Sequence, residues 1–462
     1  MAKINNFINA PQIIIPSDQH ILLMATTDSQ VAYICEISRQ GPLGHFNDKF
    51  VITPDGKFGP YDDVDYLQWS PDGKTLAYAA RADKMWHVYV NKDKKGPYRS
   101  ICKLFWSPDS KTLAYRAIID DDIYVHIGNN KKGPFKDVRD LEWSPDSKTL
   151  AYSAKINGMY YVCVGNDQKG PFKLVRHLRW STESSILTYA AVGSNDLYHV
   201  YTDNDIKGPY QTVNDLQWSP DGKRKAYSAG GYLRNDWVIY VYAGDNIIGP
   251  FKIVSNLIWS PDSKALAYIE IHTKDANSKF YVYDNNDKKG PYEYVRNLKW
   301  SPDSTKLAYV VSENKDLYVF IGNEKKGPYK DVRDMQWSPD SKTLAYVYKT
   351  DEMWYIYAGN NKKGPYEYVR DLKWSSDSKT LAHLTLEDEM WYISVNNYKK
   401  GPYKDVSDLR WSTNNKILAY NVELEGKLYN KIIKNKQEYI GCFFKNKVIY
   451  VDGQQIIIES IG

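Results

Sequence analysis

The sequence predicts an all-β chain, a β-propeller of about twelve four-stranded blades, and three observations carry that prediction. Trp recurs at positions 69, 106, 143, 180, 218, 259, 300, 337, 374 and 411, with a Gly-Pro pair ten residues ahead of each; the intervals are 37 or 38 residues except for two of 41. Between these marks lie short runs rich in aromatic and β-branched residues, separated by turn residues, in a chain that holds 14 Trp and 40 Tyr. No apolar period of the helical kind accompanies them, which excludes a helical solenoid.

Each copy reads close to V-R-D-L-x-W-S-P-D-S-K-T-L-A-Y, then a variable stretch, then Y-V-Y-x-G-N-x-K-K-G-P-Y. In one copy the runs around Leu141 to Ser144, Thr149 to Ser153, Tyr160 to Val164 and Phe172 supply four strands. The Ser-Pro-Asp-Ser and Ser-Pro-Asp-Gly segments are expected to join the first strand to the second, since Pro fixes its own φ and Asp bonds neighbouring backbone. The Asn-x-Lys-Lys-Gly-Pro segment is expected to turn the third strand into the fourth. A single sheet of this size cannot bury both faces, so blades must stack, and the repeated Trp and Tyr are suited to fill the wedge between them.

The blade count follows from the ends. Val31-Ala-Tyr-Ile aligns with Leu76-Ala-Tyr-Ala and Lys57-Phe-Gly-Pro-Tyr with Lys95-Gly-Pro-Tyr, giving a degenerate first blade over about 17–64 ahead of the Trp-containing blades over about 65–441. Residues 442–462 supply three more strands, which the orphan strand at 11–16 would complete, closing the ring by a splice of the termini. The Gly-Pro to Trp spacing never changes and nothing resembles an interdomain joint. The expectation is therefore one large closed ring over 1–462, with two rings of about six blades as the alternative.

Trp69-Ser-Pro-Asp-Gly-Lys-Thr-Leu-Ala-Tyr78 resembles the TolB-type propeller repeat, a relative of the WD repeat, and the likeness recurs over most of the chain. It implies a bacterial-type propeller repeat protein. The start, Met1-Ala-Lys-Ile-Asn-Asn-Phe-Ile, does not read as a secretory signal, and the repeats lack the separate N-terminal domain of TolB proteins, so the expected location is cytoplasmic.

Composition excludes some functions. A net charge of +5 from 61 basic and 56 acidic side chains gives no global field for nucleic acid, and no apolar run is long enough for a membrane span. Cys35, Cys102, Cys163 and Cys442 form no Cys-x-x-Cys pair, and the eight histidines show no ligand spacing, so no metal, cofactor or disulfide framework is expected. Nucleophile-elbow, phosphate-loop and dinucleotide motifs are missing, so no catalytic residue is assigned, although an active site scattered over channel residues would leave no linear motif.

The expected function is a non-catalytic scaffold that engages a protein or peptide. On one rim Lys131-Lys132, Lys325-Lys326, Lys362-Lys363 and Lys399-Lys400 are interleaved with Asp146, Asp340 and Asp377. That mixture reads as a solvated turn face, with nucleic-acid binding the lesser alternative. On the other rim the segments between strands two and three differ in every copy, from Arg81-Ala-Asp-Lys to Gly230-Gly-Tyr-Leu-Arg-Asn-Asp, which suits an asymmetric partner surface. Trp86, Tyr160, Trp354 and Trp391 stand beside these segments as candidate aromatic anchors, or else as interblade core. Arg139, Arg176, Arg296, Arg333 and Arg370, each just before an innermost strand, are candidates to hold an acidic ligand at a channel mouth, or else pair with the adjacent aspartates. A small-molecule or glycan binder or hydrolase using the channel is the alternative function.

Overall fold

The computed structural model describes residues 20–26, 31–41, 44–53, 55–183, 185–203, 205–274, 277–285, 287–396, 398–412, 415–424, 427–434, 437–444, 447–452 and 455–460. Regular structure within them is β-strand throughout: ten four-stranded antiparallel sheets and one six-stranded sheet, each with its strands in chain order. The chain falls into two compact units, residues 1–137 with 403–462, and residues 138–402.

One copy from the second unit explains the rest. Its strands are Asp331–Trp337, Leu344–Thr350, Met353–Ala358 and Asn361–Tyr366. Trp337 ends the first strand, and the Ser-Pro-Asp-Ser turn then ties itself: Ser338 Oγ donates to Asp340 Oδ1 at 2.7 Å and accepts the Thr343 N–H at 3.0 Å, while the Lys342 N–H reaches Asp340 Oδ1 at 3.2 Å. These donors, Ser338 foremost, hold the Asp340 carboxyl below the ordinary range. The Asp340 N–H donates in turn to Ser378 Oγ of the next copy at 2.9 Å, and Asp303 does the same to Ser341 at 2.8 Å, so the turns also link neighbouring sheets.

The second strand carries the core. Leu-Ala-Tyr buries Leu344, Ala345 and Tyr346, and the Tyr346 ring stacks on Tyr357 at 4.8 Å while its hydroxyl meets that of Tyr329 at 2.9 Å. The equivalents Tyr78, Tyr115, Tyr152, Tyr189, Tyr227, Tyr268, Tyr309 and Tyr420 are likewise among the largest fully buried side chains. The repeat Trp is less uniform. Trp337 is buried and its indole N–H donates to Lys299 O of the preceding copy at 3.2 Å, whereas Trp218, expected to fill an interblade wedge, is half-buried with no partner for its Nε1.

Strand phase differs from the expectation in one respect. The Lys-Lys-Gly-Pro segments are not turns but the fourth strands themselves, and the turn is the preceding Gly-Asn pair, with Gly359 at φ +63°. Lys131-Lys132, Lys325-Lys326, Lys362-Lys363 and Lys399-Lys400 therefore run along outer strands rather than a rim. Each first Lys lies over a third-strand tyrosine, Lys325 on Tyr318 and Lys362 on Tyr355, both at 3.9 Å. Pro is tolerated there because an outer strand has no further neighbour to receive its missing N–H. Gly327 is required because a Cβ at its φ of +134° would stand 2.8 Å from Leu317 O and from the Tyr318 ring.

In the first unit, His20–Thr26, Val31–Gly41, Gly44–Thr53 and Gly56–Tyr61 form a four-stranded sheet. At the other end the strands after Trp411 do not make a blade of their own at 442–462. Cys442 to Phe444 close the strand Gln437–Phe444, which is the fourth strand of the last Trp-containing copy, and Lys447–Asp452 and Gln455–Ser460 extend the same sheet to six strands. The segment 11–16 expected to complete that blade lies outside the described residues. His20–Thr26 lies close to Gln437–Phe444.

Candidate functional site

Strands two and three are joined by hairpins, and these are tighter than expected. Asp83-Lys84, Asn314-Lys315, Asp351-Glu352 and Asp388-Glu389 are two-residue turns with φ positive at both positions. Such a turn matches strand twist and leaves no loop to display. The variability read there as a loop rim is thus mostly variation in two turn residues.

Two copies depart from this pattern. Lys225–Leu233 with Asp236–Ala243, and Leu266–Lys274 with Asn277–Asp284, have strands of nine and eight residues where the regular copy at 344–358 has seven and six. Beside the first of these lengthened hairpins lies a pocket of about 330 Å³, lined by Leu197, Pro209, Tyr210, Gln211, Gly230, Gly231, Tyr232, Leu233, Val238, Tyr240 and Tyr242. Four tyrosines wall it and no lining side chain is charged.

Gly231 shapes the pocket from the hairpin side, standing on the strand face of Val238, Tyr240 and Tyr242 that also line it. Gly230 pairs with Thr212 and Ile239, where Arg81 pairs with Asp63 and Trp86, and so takes the opposite face of the sheet. A Cβ on Gly230 would stand 2.0 Å from Val238 O, whereas one on Gly231 would meet the Gln211 side chain, Oε1 at 2.7 Å. Across the hairpin Tyr232 packs edge-on against Trp237 with centroids 5.2 Å apart, leaving Tyr232 67% and Leu233 55% exposed. Ile206 and Ile247, exposed by 58% and 64%, occupy the outer-strand positions that Lys288, Lys325 and Lys362 hold elsewhere. Burial raises the Tyr210 and Tyr242 hydroxyl pKa values further above the ordinary tyrosine range, so both remain neutral donors at the pocket.

The second lengthened hairpin carries charge at the equivalent place. Glu270 is 4% exposed; it accepts from Tyr283 OH at 3.0 Å and Lys288 Nζ at 2.7 Å, and pairs with His272 Nε2. Burial works against its charge, but these three donors outweigh it and hold the carboxyl below the ordinary range.

The residues singled out from sequence fall elsewhere. Arg139, Arg176, Arg296, Arg333 and Arg370 lie within first strands, not ahead of them. Three of them cover the named aromatics of their own sheets: Arg139 over Tyr160 at 5.3 Å, Arg333 over Trp354 at 4.7 Å and Arg370 over Trp391 at 3.9 Å. Arg296 and Arg333 also share Asp331, at 3.0 and 2.7 Å, and Arg333 donates to Tyr368 OH at 2.8 Å. Tyr160 and Trp354 are buried, at 7% and 5% exposure, in clusters with the next copy's first strand, which removes them as accessible anchors; Trp86 and Trp391 are half-buried. A third-strand side chain on that face meets the neighbouring sheet, because strand residues alternate between faces. Among the described residues, no group of three or more His, Cys, Asp or Glu could hold a metal ion, and no helix is long and apolar enough to cross a membrane. The side chain of Cys442 lies outside the described residues. The pocket escapes a reading of the sequence because its signal is a departure from the repeat, a lengthened hairpin with glycine at 231, rather than a motif.

No protein-family model matches the chain, and no curated protein matches it. Solved structures similar to it include TolB from Acinetobacter baumannii, 12% identical over 62% of this chain and 78% of that one with a TM-score of 0.25. A second is the Dos1 propeller, 13% identical over 70% and 89% with a TM-score of 0.28. A third is an oligogalacturonate lyase in complex with manganese, 10% identical over 72% and 95% with a TM-score of 0.29.

Proposed function

We propose that the protein is a non-catalytic binding scaffold that engages a protein or peptide partner at the pocket beside the 225–243 hairpin. The observation that supports this reading is the tyrosine-walled, uncharged pocket of about 330 Å³ at Gly231, with the exposed Tyr232 and Leu233 among its lining residues. A concave, mostly apolar site with a few polar groups is what ligand recognition requires, and Tyr supplies contact area at low entropic cost. The two copies that line it are joined at their turns, where Thr182 Oγ1 donates to Pro220 O at 3.2 Å, and a pre-ordered frame lowers the cost of binding.

The test is a displayed library of linear peptides selected on the wild-type protein and measured against Gly231→Ile, which installs the residue that Ile156 represents in a regular copy. Enriched peptides carrying an aromatic or aliphatic anchor, weakened by about tenfold or more in a folded Gly231→Ile variant, support the reading. No peptide that distinguishes the two proteins overturns it. A neutral oligosaccharide or small aromatic compound that raises the melting temperature of the wild type alone would transfer the pocket to the small-molecule alternative.

A further inference from the structure

We infer that the partner enters as an extended strand, adding to the free edge of the 225–243 hairpin at Gly231–Leu233 and placing one uncharged side chain in the pocket; this rests on the pocket reading above. The first strand of this copy begins at Thr212, which pairs with Gly230, and the Gln211 N–H closes the ladder on Gly230 O at 2.8 Å. Beyond that point Gly231, Tyr232 and Leu233 pair with Val238, Trp237 and Asp236 on one side, and among the described residues no strand pairs with the other. The Tyr232 N–H on the open side donates to Gln211 Oε1 at 2.9 Å. A side-chain carboxamide oxygen there occupies the place of a peptide carbonyl, so the edge already binds a fragment of the chemistry proposed.

Charge points the same way. Exposed sheet edges are ordinarily blunted by charged side chains. The residue just before a first strand is Asp62, Arg99, Lys136, Lys173, Lys252, Glu293, Lys330, Glu367 or Lys404 in the other Trp-containing copies, and it is Gln211 here. Where it is acidic it caps a turn amide, Glu293 that of Lys315 at 3.3 Å and Glu367 that of Asp388 at 3.2 Å. In this copy the capped amide sits in mid-strand, the cap is neutral, and the adjoining pocket holds no charged side chain. An uncharged extended segment with an aromatic or aliphatic residue fits both the edge and the pocket, since main-chain bonds give affinity and alternate side chains enter the pocket.

The experiment uses the peptides selected above, each resynthesised with single backbone N-methyl groups, together with Gln211→Ala. Strand addition predicts that methylation of the peptide nitrogen opposite Tyr232, the residue of this edge whose main-chain groups face outward, weakens binding by about tenfold while the positions beside it tolerate it. In Gln211→Ala the Tyr232 amide, relieved of its cap, should exchange rapidly with solvent, and saturating peptide should slow that exchange by about tenfold or more. A uniformly tolerated methyl scan, or exchange at Tyr232 unchanged by peptide, overturns strand addition while Gly231→Ile sensitivity keeps the pocket. Peptides that bind wild type and Gly231→Ile alike take down the pocket reading itself.

Discussion

The hairpins at 225–243 and 266–284 share one backbone plan and carry opposite chemistry. Ala229, Gly231, Val238 and Ile247 in the first stand at the registers of Glu270, His272, Lys279 and Lys288 in the second. Three of these exchanges supply the buried carboxylate and two of its donors, His272 and Lys288, while the third donor, Tyr283, stands where the first hairpin keeps Tyr242. The repeat therefore fixes strands and turns, while the flank of each blade is free to take a separate chemistry. Function has to be sought in departures from the repeat, since what all copies share is what holds the sheets together.

The largest expected effect separates the two copies at their tryptophans. Trp259 is buried and the Arg224 guanidinium lies over it at 4.9 Å while donating to Ser263 O, whereas Trp218 is half-buried. Trp259→Ala should cost about 3–5 kcal/mol, the usual range for a buried Trp, and Trp218→Ala clearly less. Chemical denaturation of both variants checks this, and equal midpoints would break the distinction.

Next comes the glycine pair. Gly230→Ile copies Ile271 of the charged hairpin, but its Cβ would strike Val238 O at 2.0 Å, so the local backbone must shift. A loss of about 1–3 kcal/mol is expected, with peptide binding lost as well, whereas Gly231→Ile should lose binding with a smaller loss of stability, because its Cβ meets the Gln211 side chain, Oε1 at 2.7 Å and Cβ at 3.0 Å, rather than backbone. Thermal unfolding beside binding measurements separates the two.

Glu270→Ala copies Ala229 into the charged hairpin. Removing one partner of a buried pair is costly where it strands the other, but Lys288 and His272 are exposed enough, by 39% and 46%, to return to water, so stability at neutral pH should change by about 1 kcal/mol or less. The pH dependence should change more plainly. Because the folded-state pKa of Glu270 is held down, its contribution is fully present above the ordinary carboxylate range and is lost as pH falls through the depressed value. Denaturation midpoints across the acid range should fall less steeply in the variant, and parallel curves would refute the assignment.

How much of this was legible in the sequence depended on the kind of signal. The ten Gly-Pro and Trp marks reveal the strands and their meander because each strand is short and bounded by residues with fixed backbone preferences. The fourth strand reads as a turn because Gly and Pro punctuate turns almost everywhere except on an edge strand. There a residue such as Pro365 costs nothing to the ladder, since no further strand waits for its missing N–H. Tyr160 and Trp354 were legible as large aromatics but not as buried ones, since the face a strand residue takes is set by stacking between sheets. The pocket required Gly231, Val238 and Tyr210 to be seen as neighbours, which register supplies for the first two and the stacking of one sheet on the next for the third.

The smallest expected effect extends the comparison to a third copy, where His383 replaces the tyrosine that both hairpin copies keep as Tyr227 and Tyr268. His383 is 1% exposed, neither ring nitrogen has a hydrogen-bond partner, and its ring faces Tyr366 at 6.3 Å where other copies join two hydroxyls. Burial lowers its pKa to about 3, from roughly 6.5 in an unfolded chain. Such a group binds its proton more readily when unfolded, so its share of stability is whole above the unfolded value and drains away as pH falls from there toward the folded one. His383→Tyr should restore the hydroxyl pair, gain about 1 kcal/mol at neutral pH and remove that part of the acid sensitivity. A midpoint that drops at neutral pH would mean that this copy has repacked around the smaller ring, and the equivalence of the blades would then end at their cores as well as at their flanks.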